Sequence, residues 1–102
     1  MNKEKIKQDF DKFISTAKSE IARYLDSINL EQFTEVANII WECRKNDGRL
    51  HVTGIGKPSY VAGYVASLIS STGTPSYYLH GTEAVHGSCG QLEAGDVVIC
   101  IS

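Results

Sequence analysis

The sequence predicts an α/β fold: a parallel sheet with flanking helices in three layers, preceded by two amphipathic helices. Three observations carry this expectation. Apolar runs at 50–54, 76–79 and 97–101 have the length and composition of buried strands. A helical pattern separates the first two, and a loop or short helix, Gly81–Gly87, separates the second and third. Such alternation calls for parallel pairing through right-handed crossovers. The first run also ends in Gly54-Ile55-Gly56-Lys57-Pro58-Ser59, a turn where an open parallel sheet places its ligand, beyond a strand end and against a helix N-terminus.

Residues 3–28 repeat apolar side chains at three- and four-residue steps: Ile6, Phe10, Phe13, Ile14, Ala17, Ile21, Tyr24, Leu25 and Ile28. That face serves either packing across the sheet or a subunit contact. Asn29 is placed to cap a second helix, with Gln32 three residues on in the capping-box position. The second helix is expected to bury Leu30, Phe33, Val36, Ala37, Ile40 and Trp41, and to end at Asn46-Asp47-Gly48 with Gly48 left-handed. Glu31, Glu35 and Glu42 read as a solvated face.

Pro58 suits the first turn of the third helix, where its missing N–H costs nothing. That helix is expected to bury Val61, Tyr64, Val65, Leu68 and Ile69, with small residues between them. Gly73 and Pro75 end it. Leu92–Asp96 reads as a turn, and Val97–Ile101 as a central strand buried on both faces. One domain is expected, with helices over 1–47 and three β/α units over 48–102. A sheet that stops on such a strand leaves an unpaired edge, so the fold is expected to be truncated after its third strand.

Composition narrows the function. The net charge is −2, with no basic stripe, which gives no reason to expect nucleic acid or an acidic membrane as partner. Cys43, Cys89 and Cys100 are odd in number and lack C-x-x-C spacing, arguing against a disulfide framework or zinc site and for a reducing, cytoplasmic setting. No apolar run approaches membrane-spanning length.

Backbone N–H groups and the positive end of a helix dipole favour an anion at the Gly54–Ser59 turn, and Lys57 adds a full charge. The alternative is that Gly54 and Gly56 only permit a tight turn. The dinucleotide fingerprint fails at Ser59, and the Walker loop fails at His51 and Pro58. His80, Glu83 and His86 follow the second strand and are open to three readings: proton transfer beside a phosphate, metal ligation at an unusual spacing, or a polar loop bonded to backbone. His51 reads as a satisfied residue of the strand, and Cys89 as a small packing residue.

Taken together, Val52-Thr53-Gly54-Ile55-Gly56-Lys57, Ser71-Thr72-Gly73-Thr74-Pro75, His80-Gly81-Thr82-Glu83-Ala84-Val85-His86-Gly87 and Gly95–Ser102 resemble the sugar isomerase (SIS) domain, and within it the arabinose 5-phosphate isomerase branch. The resemblance covers about residues 30–102. It implies a five-stranded parallel sheet that binds a phosphosugar; no cofactor or metal is expected. It also implies catalytic roles for Lys57 and His86, and substrate binding by Gly54, Gly56, Ser59, His80, Glu83 and Ser102. Ser59 stands one place later than the family's serine because Pro58 intervenes, and Ser88 replaces an aspartate.

The implied reaction is aldose–ketose isomerisation of a pentose 5-phosphate through an enediol. It requires a base, an acid near the two oxygens and a phosphate anchor. The family's catalytic glutamates, its further histidine and most of its phosphate loop have no counterpart here, so these 102 residues alone are expected to be inactive. Homo-oligomers, dimer or tetramer, are also implied. The alternatives are a non-catalytic phosphosugar sensor and an assembly module built on the first helix.

Overall fold

The computed structural model describes residues 1–102. The chain falls into two compact units, Met1–Thr34 and Glu35–Ser102.

The first unit is dominated by α1, Lys3–Asp26. Asn2 caps it, its Oδ1 accepting the Glu4 and Lys5 N–H groups at 2.9 and 3.2 Å, which satisfies two otherwise orphan donors. The helix stops at Asp26, short of the expected Ile28: the Ser27 N–H is shared between the Arg23 and Tyr24 carbonyls and the Ile28 N–H bonds to Leu25, three residues back, so the last turn tightens. None of its residues is buried. Phe10, Phe13, Ile21 and Tyr24 are exposed, and Ile14 and Ala17 are half-buried. The expected apolar stripe forms, but it stays uncovered. The helix α2, Leu30–Lys45, begins in this unit, and Asn29 Oδ1 accepts the Gln32 N–H at 3.0 Å as expected.

In the second unit, α2 contributes one buried residue, Cys43. Leu30, Phe33, Val36, Ala37 and Trp41 are exposed and Ile40 is half-buried, against the sequence expectation. The apolar stripe is real, but only the last turn of the helix is packed: Cys43 Sγ lies 3.7 Å from the Arg49 carbonyl. The helix ends with the Gly48 N–H on the Cys43 carbonyl and the Asp47 N–H on that of Arg44, the paired bonds of a Schellman ending. The left-handed residue is Asp47, at φ 59°, not Gly48. Aspartate tolerates this conformation better than most residues. Gly48 is needed for space, since a Cβ there would lie 2.5 Å from the Gly95 carbonyl oxygen.

The sheet contains β1 (Leu50–Gly54), β2 (Ser76–His80) and β3 (Val97–Ile101), all parallel in the order β2-β1-β3. Leu50 pairs with Ser76 and with Val97. The central strand is therefore β1, and Leu50, His51 and Val52 are its fully buried side chains. Within these residues β3 pairs with β1 alone, so Val98 and Cys100, expected inside, are exposed.

One sheet face carries α3, Lys57–Ser71. Its core contribution is Ala62 and Ala66 against Val52, with Val65, Ile99 and Ile101 at the margin. Ile69 is half-buried, while Val61, Tyr64 and Leu68, expected inside, are exposed. Ala62 and Ala66 stand one turn apart on one face, and their small size brings the helix axis close to the sheet. The larger apolar residues then lie round the cylinder.

On the other face His51 Nε2 meets Asp96 Oδ2 at 2.7 Å. Asp96 also accepts the Arg49 N–H at 2.9 Å and the Glu93 N–H at 3.0 Å. These backbone donors, then the His51 bond, lower its pKa to about 2. An unfolded aspartate titrates near ~3.9. A depressed native value adds stability above the unfolded pKa that is lost as pH falls through the native one. Acid unfolding is expected to include a component between about pH 4 and 2. Circular dichroism against pH should show that component missing from Asp96→Asn, which is less stable at neutral pH. An unchanged acid limb would rule Asp96 out as its source.

Candidate functional site

A cavity of about 570 Å³ opens where the carboxyl ends of all three strands meet. Its walls include Thr53, Gly54 and Ile55 from β1 and its turn, Leu79 and Gly81 from the end of β2, and Ile101 and Ser102 from β3. Pro58, Ala84 and Cys100 complete it. This is the crevice that an open parallel sheet offers a ligand.

The two glycines of the turn do different work. At Gly54 an added Cβ would sit 2.9 Å from the Ile101 carbonyl oxygen and from the Pro58 carbonyl carbon and oxygen. The ends of β1 and β3 and the head of α3 thus meet too closely for a side chain. At Gly56 an added Cβ meets nothing, but φ is 73°, a conformation that favours glycine. Gly56 caps α3, and Lys57 and Pro58 form its first turn. The Ser59 Oγ donates back to the Gly56 carbonyl.

The helix α4, Gly81–Val85, starts directly after β2. His80 caps it, with Nδ1 accepting the Glu83 N–H at 3.0 Å. This is the backbone-bonded reading of that histidine. Nδ1 as acceptor leaves the ring proton of the neutral form on Nε2. His86 ends α4 and is exposed. No three His, Cys, Asp or Glu side chains come together as a metal-ligand set.

The structure thus divides the sequence-derived residues. Gly54 and Ser102 line the cavity. Ser59 and His80 share a second groove of about 390 Å³ with Tyr60, Gly63, Tyr64 and Tyr78. Gly56, Lys57, Glu83 and His86 line neither, and Lys57 is exposed at the head of α3. Cys89, expected as a packing residue, is exposed in the 3-10 turn Ser88–Gln91. Three features escaped the sequence reading: the apolar lining by Ile55, Leu79 and Ile101, the presence of Cys100 there, and Thr53, whose Oγ1 is buried without a partner. Alternation along β1 and β3 was a usable signal for Thr53 and Cys100, which share a face in register.

An open parallel α/β domain with a ligand crevice at its strand ends is the class defined by the fold and cavity. No protein-family model matches the chain. It is 40% identical over 72 residues to the arabinose 5-phosphate isomerase GutQ of Escherichia coli K12, a match covering 71% of this chain and 22% of the relative. It is 38% identical over all 102 residues to the probable arabinose 5-phosphate isomerase of Haemophilus influenzae, covering 28% of that protein. A solved Escherichia coli CFT073 protein, in complex with arabinose 5-phosphate, superimposes with a TM-score of 0.84 at 34% identity, covering 100% of this chain and 52% of that one. Proteins named arabinose 5-phosphate isomerase are thus homologous to most or all of this chain, and its structural neighbours are phosphosugar isomerases of the sugar isomerase (SIS) type. It spans about a quarter of the length of the curated relatives it matches. No helix is long and apolar enough to cross a membrane.

Proposed function

We propose that the strand-end cavity binds a sugar phosphate and that the whole protein interconverts an aldose and a ketose phosphate, with arabinose 5-phosphate as substrate. The observation that carries this reading is the Gly54–Ser59 turn, which opens at the head of α3 beside Ser102 at the end of β3. Its backbone N–H groups, the helix dipole and Lys57 together favour a phosphate. Kinship to arabinose 5-phosphate isomerases and a structural neighbour holding that sugar phosphate support the choice of sugar.

In this reading Gly54 and Gly56 let the backbone approach the ligand, and Ser59 and Ser102 hold its polar groups. Lys57 balances its charge. His80 and Glu83, at the head of α4, bind the substrate, and His86 assists ring opening or proton transfer. The base that removes the proton next to the carbonyl lies outside these residues. Three unpaired thiols, Cys43, Cys89 and Cys100, support a reducing, cytoplasmic setting. The exposed apolar side chains of α1 support homo-oligomer formation.

Thermal unfolding of the full-length protein with added ligand tests the binding step. A ligand specific for the folded state adds about 2.7 kcal/mol at a hundred times its Kd. Arabinose 5-phosphate is expected to raise the midpoint well beyond inorganic phosphate. Lys57→Ala should remove that difference while leaving the unliganded midpoint unchanged, because Lys57 is exposed. Equal shifts with the two ligands would reduce the turn to a general anion corner and end the isomerase reading.

A further inference from the structure

His51 lies in the middle of β1 with 1% of its surface exposed. Strand alternation places it on the face opposite Val52 and the α3 core. Both ring nitrogens are engaged. Nε2 faces the Asp96 carboxylate at 2.7 Å, and Nδ1 faces the Gln91 side-chain nitrogen at 2.9 Å. A carboxylate only accepts and an amide NH₂ only donates. This arrangement has Nε2 donating to Asp96 and Nδ1 accepting from Gln91. The same Gln91 nitrogen faces the Tyr78 carbonyl at 3.5 Å, which fits this amide orientation.

The two ends of the network are held unequally. Asp96 has two backbone donors besides His51. Gln91 has only His51 at short range. Gln91 closes the 3-10 turn Ser88–Gln91, and that turn packs against α4 and β2. With five residues and none of them buried, α4 is too short to be stable by itself. Yet its Gly81 and Ala84 form part of the cavity wall.

We propose that His51 is a positioning residue for the cavity: acting through Gln91 from the buried centre of β1, it holds the Ser88–Gln91 turn on which α4 and its Gly81–Ala84 wall rest. The consequence for ligand binding rests on the sugar-phosphate reading; the mechanical role does not.

The two bonds can be separated in the 102-residue chain. His51→Asn places a carbonyl oxygen near the position of Nδ1, keeping the acceptor for Gln91 while losing the reach to Asp96. His51→Gln places its amide near Nε2, keeping the donor to Asp96 while losing the acceptor. The Gly90 and Leu92 amides, bonded to the Gly87 and Cys89 carbonyls, are the reporters. In His51→Gln their hydrogen exchange should quicken at least about tenfold, in the range of a lost hydrogen bond, with β1 and β3 amides unchanged. In His51→Asn they should keep the wild-type rate. The midpoint shift with arabinose 5-phosphate should shrink in His51→Gln and persist in His51→Asn.

Equal exchange at Gly90 and Leu92 in the two variants overturns the proposal. Should either variant fail to fold, the imidazole ¹⁵N spectrum of the unmodified chain decides: a proton on Nε2 supports it and a proton on Nδ1 overturns it. A whole protein that shows no response to arabinose 5-phosphate removes the sugar-phosphate reading and leaves the exchange contrast to judge His51.

Discussion

Leu50→Ala is expected to lower the stability of the chain by about 2–5 kcal/mol, the range for emptying a buried leucine site. Leu50 is 0% exposed and heads the central strand. Its N–H bonds to the Pro75 carbonyl at 3.3 Å, and it is flanked in register by Ser76 and Val97. A strand locked on both sides cannot slide inward to fill the space that a truncated side chain leaves. The cavity term therefore adds to the lost transfer free energy. Leu68→Ala provides the contrast: Leu68 sits on α3 with 49% exposure, and its loss should cost well under about 1 kcal/mol. Denaturant titrations of both variants measure the difference. A cost for Leu50→Ala no larger than that for Leu68→Ala would show that β1 is not the centre of the sheet.

Gly54→Ala should do the greatest damage to the cavity for the smallest chemical change. Its Cβ would lie 2.9 Å from backbone atoms of Pro58 and from the Ile101 carbonyl oxygen. No side-chain rotation relieves such a clash, so the head of α3 has to move away from the ends of β1 and β3. Overpacking of this kind costs about 1–3 kcal/mol. Here it also separates the walls that Gly54, Pro58 and Ile101 supply. Gly56→Ala meets no atom and is strained only by its backbone, at φ 73° and ψ −138°, a cost of roughly 1–3 kcal/mol. The expected pattern is loss of arabinose 5-phosphate stabilisation in Gly54→Ala, with a smaller loss in Gly56→Ala. Titration calorimetry of both variants reads it. Wild-type affinity in Gly54→Ala would place the ligand somewhere other than this cavity.

The elements themselves were legible because local chemistry marks them. Asn29 caps α2, Pro58 opens α3, and Gly73, at φ 99°, closes it. Each of these signals lies within a few residues of the boundary it sets. Which face each element buries was not legible, because that depends on strand order. Val61 and Leu68 are at least as apolar as Ala62 and Ala66, and only the closeness of α3 to β1 selects the alanines.

The candidate site divides along the same line. Gly54 and Gly56 were visible as a turn, and Ser102 through a family resemblance. The pairing of His51 with Asp96 spans 45 residues and exists only through the register of β1 with β3. A polar residue in the middle of an apolar strand does signal a missing partner. An aspartate just before the next strand was the place to look.

The parallel order β2-β1-β3 also ranks the steps by which the chain can assemble. Joining β1 to β2 closes a loop that contains α3 alone, while joining β1 to β3 closes one nearly twice as long. Loop-closure entropy grows by about 0.6 kcal/mol per doubling, and pairing across longer separations slows folding. The β1–α3–β2 unit, with Val52, Ala62 and Ala66 already in contact, is the cheaper nucleus. The docking of β3 brings in Ile101, Ser102 and the Asp96 bond to His51. The β3 wall of the crevice is thus added after the β1–α3–β2 walls, so its lining by Ile101 and Ser102 depends on the slower of the two pairings.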